Sequence, residues 1–141
     1  MLTYICVRAV EELGMFPYWP AYLQVKSPAT KDDFRYGANF AVASGTALSQ
    51  QFFEEKHLNV SQITPYSLGV QIGWFKKVLA TIASTEEERK DVMASSLFLM
   101  GEIGANDYNH PLFQNKKLAW VEPLVPLVVR FIGLSIEVRY S

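Results

Sequence analysis

The sequence predicts an α/β domain with helices packed on a parallel sheet, and three observations carry that prediction. The apolar run Ser96-Leu-Phe-Leu-Met100 stops at Gly101-Glu-Ile-Gly-Ala-Asn-Asp-Tyr108, the pattern of a buried strand that ends and turns. A second short run, Asn39 to Ala43, is apolar without alternating, which suits a parallel strand buried on both faces. Between them lies a long amphipathic helix, and strand, helices, strand, helix is the order of an α/β layer.

Taken in order, Tyr4 to Leu13 reads as a helix, with Ile5, Ala9, Val10 and Leu13 on one face and Gly14 as its stop. A loop rich in proline and aromatics follows from Phe16 to Lys31. Its Tyr18, Trp19 and Tyr22 are expected to cover the core; lining a cleft is their other possible use. After the Asn39–Ala43 strand, Phe52-Phe53-Glu54-Glu55 opens a polar excursion to about Thr64. The clearest helix spans Tyr66 to Ala83, with Leu68, Ile72, Phe75, Leu79 and Ile82 in one stripe and Gln71, Lys76 and Lys77 in solvent. Ser84-Thr85 before Glu86-Glu87-Glu88 is a capping signal for a second helix reaching about Ala94. That helix feeds the Ser96–Gly101 strand, and a last helix covers roughly Val121 to Ile136. No repeat or internal boundary breaks the chain, so one domain over residues 1–141 is expected.

Composition narrows the classes. Half of the 141 residues are hydrophobic and 13% are aromatic, which excludes a disordered tail. A net charge of −1 and the lack of a basic stripe give no electrostatic reason to expect nucleic acid. The single cysteine, Cys6, cannot close an internal disulfide. Arg8, Glu11 and Glu12 interrupt any signal-peptide core near the start. The longest greasy run, Leu124 to Ile136, is short of the ~20 apolar residues a membrane span needs and contains Arg130, so no span is expected.

The chemistry-bearing stretch is Gly101 to Tyr108. In open α/β sheets the carboxyl ends of strands are where ligands bind. Asn106 there has two possible roles: with Asp107 it can form a local turn, or its amide can donate to a developing oxyanion.

Gly37-Ala-Asn-Phe-Ala-Val-Ala-Ser-Gly-Thr-Ala-Leu48 followed by Gly101–Asp107 resembles, in the same order, two sequence blocks of the plant GDSL esterase/lipase family, a branch of the SGNH hydrolases. The likeness extends to Phe16-Pro-Tyr-Trp-Pro-Ala-Tyr-Leu23, Asp33-Phe-Arg35, Ser67-Leu-Gly-Val-Gln-Ile-Gly-Trp-Phe75, Ser84-Thr-Glu-Glu-Glu88 and Val125-Pro-Leu-Val-Val129, and so covers nearly all of the chain up to about Ile136. It implies part of an SGNH-type three-layer α/β fold with a parallel sheet, and an ester hydrolase with a serine nucleophile. A small-molecule ester or lipid would be the partner, with no cofactor and no metal. Full-length plant members are secreted.

By the same resemblance Asn106 is an oxyanion-hole donor. The family's other donor is the backbone N–H of a glycine in the Asn-Phe-Ala-x-x-Gly block; counting from Asn39, that place is held by Ser44, with Gly45 one residue later. If the family glycine sits at positive φ, Ser44 is strained there. The family's Gly-Asp-Ser is not in the sequence, nor is a Gly-x-Ser-x-Gly elbow. Asp107-Tyr-Asn-His110 matches the family's downstream Asp-x-x-His only in letters, because Asp107 belongs to the oxyanion block. His110 is therefore expected to be a loop histidine, and His57, among Glu54, Glu55 and Lys56, a solvated one.

Three readings follow. The chain is a fragment of a GDSL-type esterase without its first strand and carboxyl-terminal part, inactive as written; or a catalytically dead protein that holds a lipid or ester in a retained acyl cleft; or an α/β interaction domain. Asn59-Val-Ser61 is an N-glycosylation sequon within the polar excursion.

Overall fold

A computed structural model describes residues 21–34 and 37–137. The expected first helix, Cys6, Tyr18 and Trp19 lie outside the described residues. The chain divides into two compact units, each drawn from two stretches: Met1–Ala41 with Gly73–Leu99, and Val42–Ile72 with Met100–Ser141.

In the first unit, single-turn 3-10 helices occupy Tyr22–Gln24 and Asp32–Phe34. Thr30 shapes the second, its N–H and hydroxyl both donating to the Asp33 carboxylate at 2.7 Å. Tyr22 packs as a cover, as expected, stacking on Trp74 at 5.1 Å between centroids and lying 5.8 Å from Phe40. Phe75 meets Phe40 and Phe98 edge-on.

Six α-helices are found among the described residues. Helix α1 is Gln50–Glu55, α2 Leu68–Ile82, α3 Glu86–Ser95, α4 Ala105–Phe113, α5 Leu118–Val121 and α6 Leu124–Glu137. Residues 73–82 of α2 belong to the first unit. There the deepest side chains are Trp74 and Val78, while Phe75, Leu79 and Ile82 of the expected stripe are only half-buried. The covered line is thus displaced by about a quarter-turn, at 3.6 residues per turn, toward the larger Trp74 ring. Helix α3 starts with the predicted cap: Thr85 Oγ1 accepts from Glu88 N–H, and the Glu88 carboxylate accepts from Thr85 N–H.

In the second unit the core consists of Ala47, Phe53, Leu58, Ile63, Leu124 and Val128, with Ile103, Tyr108, Trp120, Phe131 and Ile132 packed against it. Phe53 is wholly buried, on a helix begun by Ser49 Oγ accepting from Phe52 N–H, so the polar excursion opens with a core element. The last expected helix is α6, with the short α5 just before it. On α6, Leu124, Val128 and Ser135 turn inward while Val125, Leu127, Val129 and Leu134 are exposed.

The expected strands are not formed among the described residues. Neither 39–43 nor 96–101 is a strand, and among the described residues parallel pairing is reduced to one bridge, Ala21 with Asn39, where Tyr22 N–H donates to the Asn39 carbonyl at 2.9 Å. A strand needs a ladder partner to satisfy its peptide groups. Leu97, Leu99 and Met100 are exposed. One apolar segment bears on the expectation of no membrane span. Leu118–Glu137 is apolar and long enough to cross a bilayer by length and composition only. One such segment is weak evidence and establishes no span.

Candidate functional site

The two sequence blocks meet in the second unit. Gly45 N–H donates to the Val42 carbonyl at 3.1 Å, closing a turn over Ala43 and Ser44. Ser44 sits at φ 64°, in the left-handed region. A turn with positive φ at its third position favours glycine, because the Cβ of other residues crowds the backbone there. The conditional strain at Ser44 is therefore realised.

Gly45 is crowded rather than strained in its backbone. A Cβ on it would lie 3.0 Å from the Val42 carbonyl oxygen and 3.1 Å from Gln71 Nε2. The Gln71 amide, expected in solvent, is half-buried and donates to the Tyr66 carbonyl at 3.0 Å.

On the other side stands α4. Its N-cap is Gly104, at φ 105°, where a side chain would also press within 3.0 Å of Val128 Cγ1. Asn106 and Asp107 therefore lie in the first turn of a helix rather than in a turn closing a strand. Asn106 Nδ2 donates to the Gly45 carbonyl at 2.9 Å. Asp107 is wholly buried and clamps the loop, accepting from Ala47 N–H at 2.7 Å and from Leu48 N–H at 2.9 Å. Desolvation pushes the Asp107 carboxyl above the ordinary Asp range; the N–H bonds of Leu48 and Ala47 and the nearby His110 work against that rise.

The rest of the loop is committed as well. Leu68 N–H donates to the Thr46 carbonyl at 2.8 Å, and Thr46 Oγ1 donates to the Leu48 carbonyl at 2.7 Å. Of the five backbone N–H groups from Ser44 to Leu48, only those of Ser44 and Thr46 donate to no group among the described residues. Thr46 is wholly buried, whereas Ser44 is exposed.

His110 is not on a loop. It lies in the last turn of α4, is 8% exposed, and its buried Nε2 has no hydrogen-bond partner among the described residues. His57 is exposed, as expected, at φ 56°. By resemblance Asp107 was expected only to help shape the turn after Asn106; its clamp on Ala47 and Leu48 is what sequence reasoning missed. Its one signal was an acidic residue directly after Asn106.

No family model matches the chain, and no solved structure matches it significantly. Among curated proteins, a GDSL esterase/lipase of Arabidopsis thaliana is 41% identical over 125 residues, covering 89% of this chain and 34% of the relative. A second from the same plant is 44% identical over 126 residues, covering 89% of this chain and 30% of the relative. The chain belongs to the plant GDSL esterase/lipase family. Sinapine esterase of Brassica napus is another relative, 41% identical over 127 residues, with 89% of this chain and 31% of that protein covered. The chain thus spans about a third of the length of the GDSL esterases/lipases it matches.

Proposed function

We propose that this chain carries the oxyanion-hole part of a secreted serine ester hydrolase that acts on a small-molecule ester or lipid. The observation that supports it most is the hydrogen bond from Asn106 to Gly45, which joins the two blocks that resemble the family's oxyanion blocks. One amide proton of Asn106 is spent on that carbonyl, which orients the group; the other is left for a ligand. Ser44 N–H is the second donor in this reading, because the Gly45 N–H is already held by Val42. Gly45 serves instead as the anchor for Asn106.

When a serine attacks an ester carbonyl, the carbonyl oxygen becomes negative. Donors fixed beforehand stabilise that charge without reorganising. Asp107, by holding Ala47 and Leu48, keeps the loop from relaxing around the donors. The family relationship and the single parallel bridge at Asn39 support reading 39–43 and 96–101 as strand positions of an SGNH-type parallel sheet in a full-length protein. The two units also interleave in sequence, which fits one domain over the chain. The sinapine esterase relative points to an ester as substrate.

With no Gly-Asp-Ser in the sequence, the chain by itself should not hydrolyse a nitrophenyl ester. The test is a chimera in which this chain replaces the matching third of an active Arabidopsis relative. Asn106→Ala in that chimera should slow ester hydrolysis by about two orders of magnitude or more, with the fold kept by circular dichroism. An unchanged rate in a well-folded chimera would return Asn106 to a purely structural role.

A further inference from the structure

We propose that Asn59 is an attachment site for an N-linked glycan. Asn59-Val-Ser61 is the only Asn-x-Ser/Thr tripeptide in the sequence. The structure presents it as an acceptor in three respects. Asn59 and Ser61 are both exposed, between Glu54–His57 and Gln62, which are exposed too. The Asn59 side chain is folded back on its own sequon, with Oδ1 accepting from Ser61 N–H at 2.9 Å. That bond uses the oxygen and leaves Nδ2, the atom that would carry the sugar, without a hydrogen bond among the described residues.

The base of the site is rigid while its tip is free. Gln114 grips the Asn59 backbone from both sides: its Oε1 accepts from Asn59 N–H at 2.9 Å, and its Nε2 donates to the Asn59 carbonyl at 2.7 Å. Leu58 and Ile63, on either side, are 5% and 4% exposed and anchor the segment in the core. A glycan on Nδ2 therefore extends into solvent without displacing a core side chain or breaking a bond of the loop.

The donor is a lipid pyrophosphate-linked oligosaccharide, used by a membrane-bound transferase. The Nδ2 of Asn59 forms a bond to the anomeric carbon while the bond from that carbon to the pyrophosphate oxygen breaks. The lipid pyrophosphate leaves with the electron pair, and one amide proton passes to a base of the transferase. The inference rests on the secreted reading for its setting, so the experiment supplies the address independently.

The full chain, translated behind a cleavable secretory leader with endoplasmic-reticulum microsomes, should yield a protease-protected species of higher mass that endoglycosidase H returns to the unmodified mass. Ser61→Ala should abolish the shift while leaving the Ser61 N–H bond to Asn59 in place, and Ser61→Thr should retain it. A protected chain that stays at its unmodified mass, while a control sequon in the same reaction is modified, overturns the proposal. So does a shift that survives Ser61→Ala. Neither outcome bears on the oxyanion reading, which the chimera tests alone.

Discussion

Ser44 occupies a conformation that L side chains avoid, and the turn it belongs to holds one of the two donors assigned above. Replacing Ser44 by Gly should remove that crowding and raise stability by up to about 1 kcal/mol, the left-handed penalty less the entropy that glycine adds to the unfolded chain. The urea midpoint is the measurement, and a lowered midpoint would show that the Ser44 side chain is needed where it stands. Asp107 gives a pH-dependent counterpart. Its folded carboxyl is raised by desolvation above the ordinary value of 3.8, so the folded state holds its proton more tightly than the unfolded one. The linked stability is fully present below that unfolded value and is lost as pH rises through the folded one. Urea midpoints taken upward from about pH 4 should show this decline, and Asp107→Asn should flatten it. Asp107→Ala should cost more, since each orphaned N–H at Ala47 and Leu48 carries about 1–3 kcal/mol.

Helices with a long period or a chemical start signal were legible from sequence, and short ones were not. Thr85 and Glu88 announce α3, and the capping box is present in both directions. Thr85→Ala should therefore destabilise α3 by about 1 kcal/mol, seen as faster amide exchange over Glu86–Arg89 with the core amides unaffected. By contrast, α1 has six residues, too few for a 3.6-residue period to declare itself, and so Phe53 passed for part of a polar segment. Helix α4 was hidden by its composition. Asn106, Asp107 and Asn109 are weak helix formers, Pro111 lies inside, and Gly104 caps the start without a side-chain bond. Only tertiary contacts decide for a helix there: the Asp107 carboxylate reaches residues 59 and 60 positions away in the chain. The apolar stretches at 39–43 and 96–101 were legible as apolar, but whether they join a ladder was not, because the partner of a strand is not written in the strand.

For the molecule as a whole, apolar surface is unevenly spent. Leu118, Val129 and Phe113 are 66%, 62% and 80% exposed, although α6 is apolar on most sides. Helix boundaries near Leu68, Glu86 and Ser95 came within two residues of expectation, while no sheet is formed among the described residues. The donor roles proposed for Asn106 and Ser44 come from family likeness; the Asp107 clamp needed coordinates.

That clamp also sets a clock. During synthesis the peptide around Ala47 and Leu48 leaves the ribosome long before its acceptor exists, since Asp107 is 60 and 59 residues further along. At ~5–20 residues per second the wait is roughly 3–12 s. For that interval two amides destined for a dry interior remain wet, and the turn at Ser44 is held by its local Val42 bond alone. A stalled or prematurely ended translation product that stops before Asp107 would carry the Ser44 donor loop without its lock, and protein quality control would meet it as an open segment.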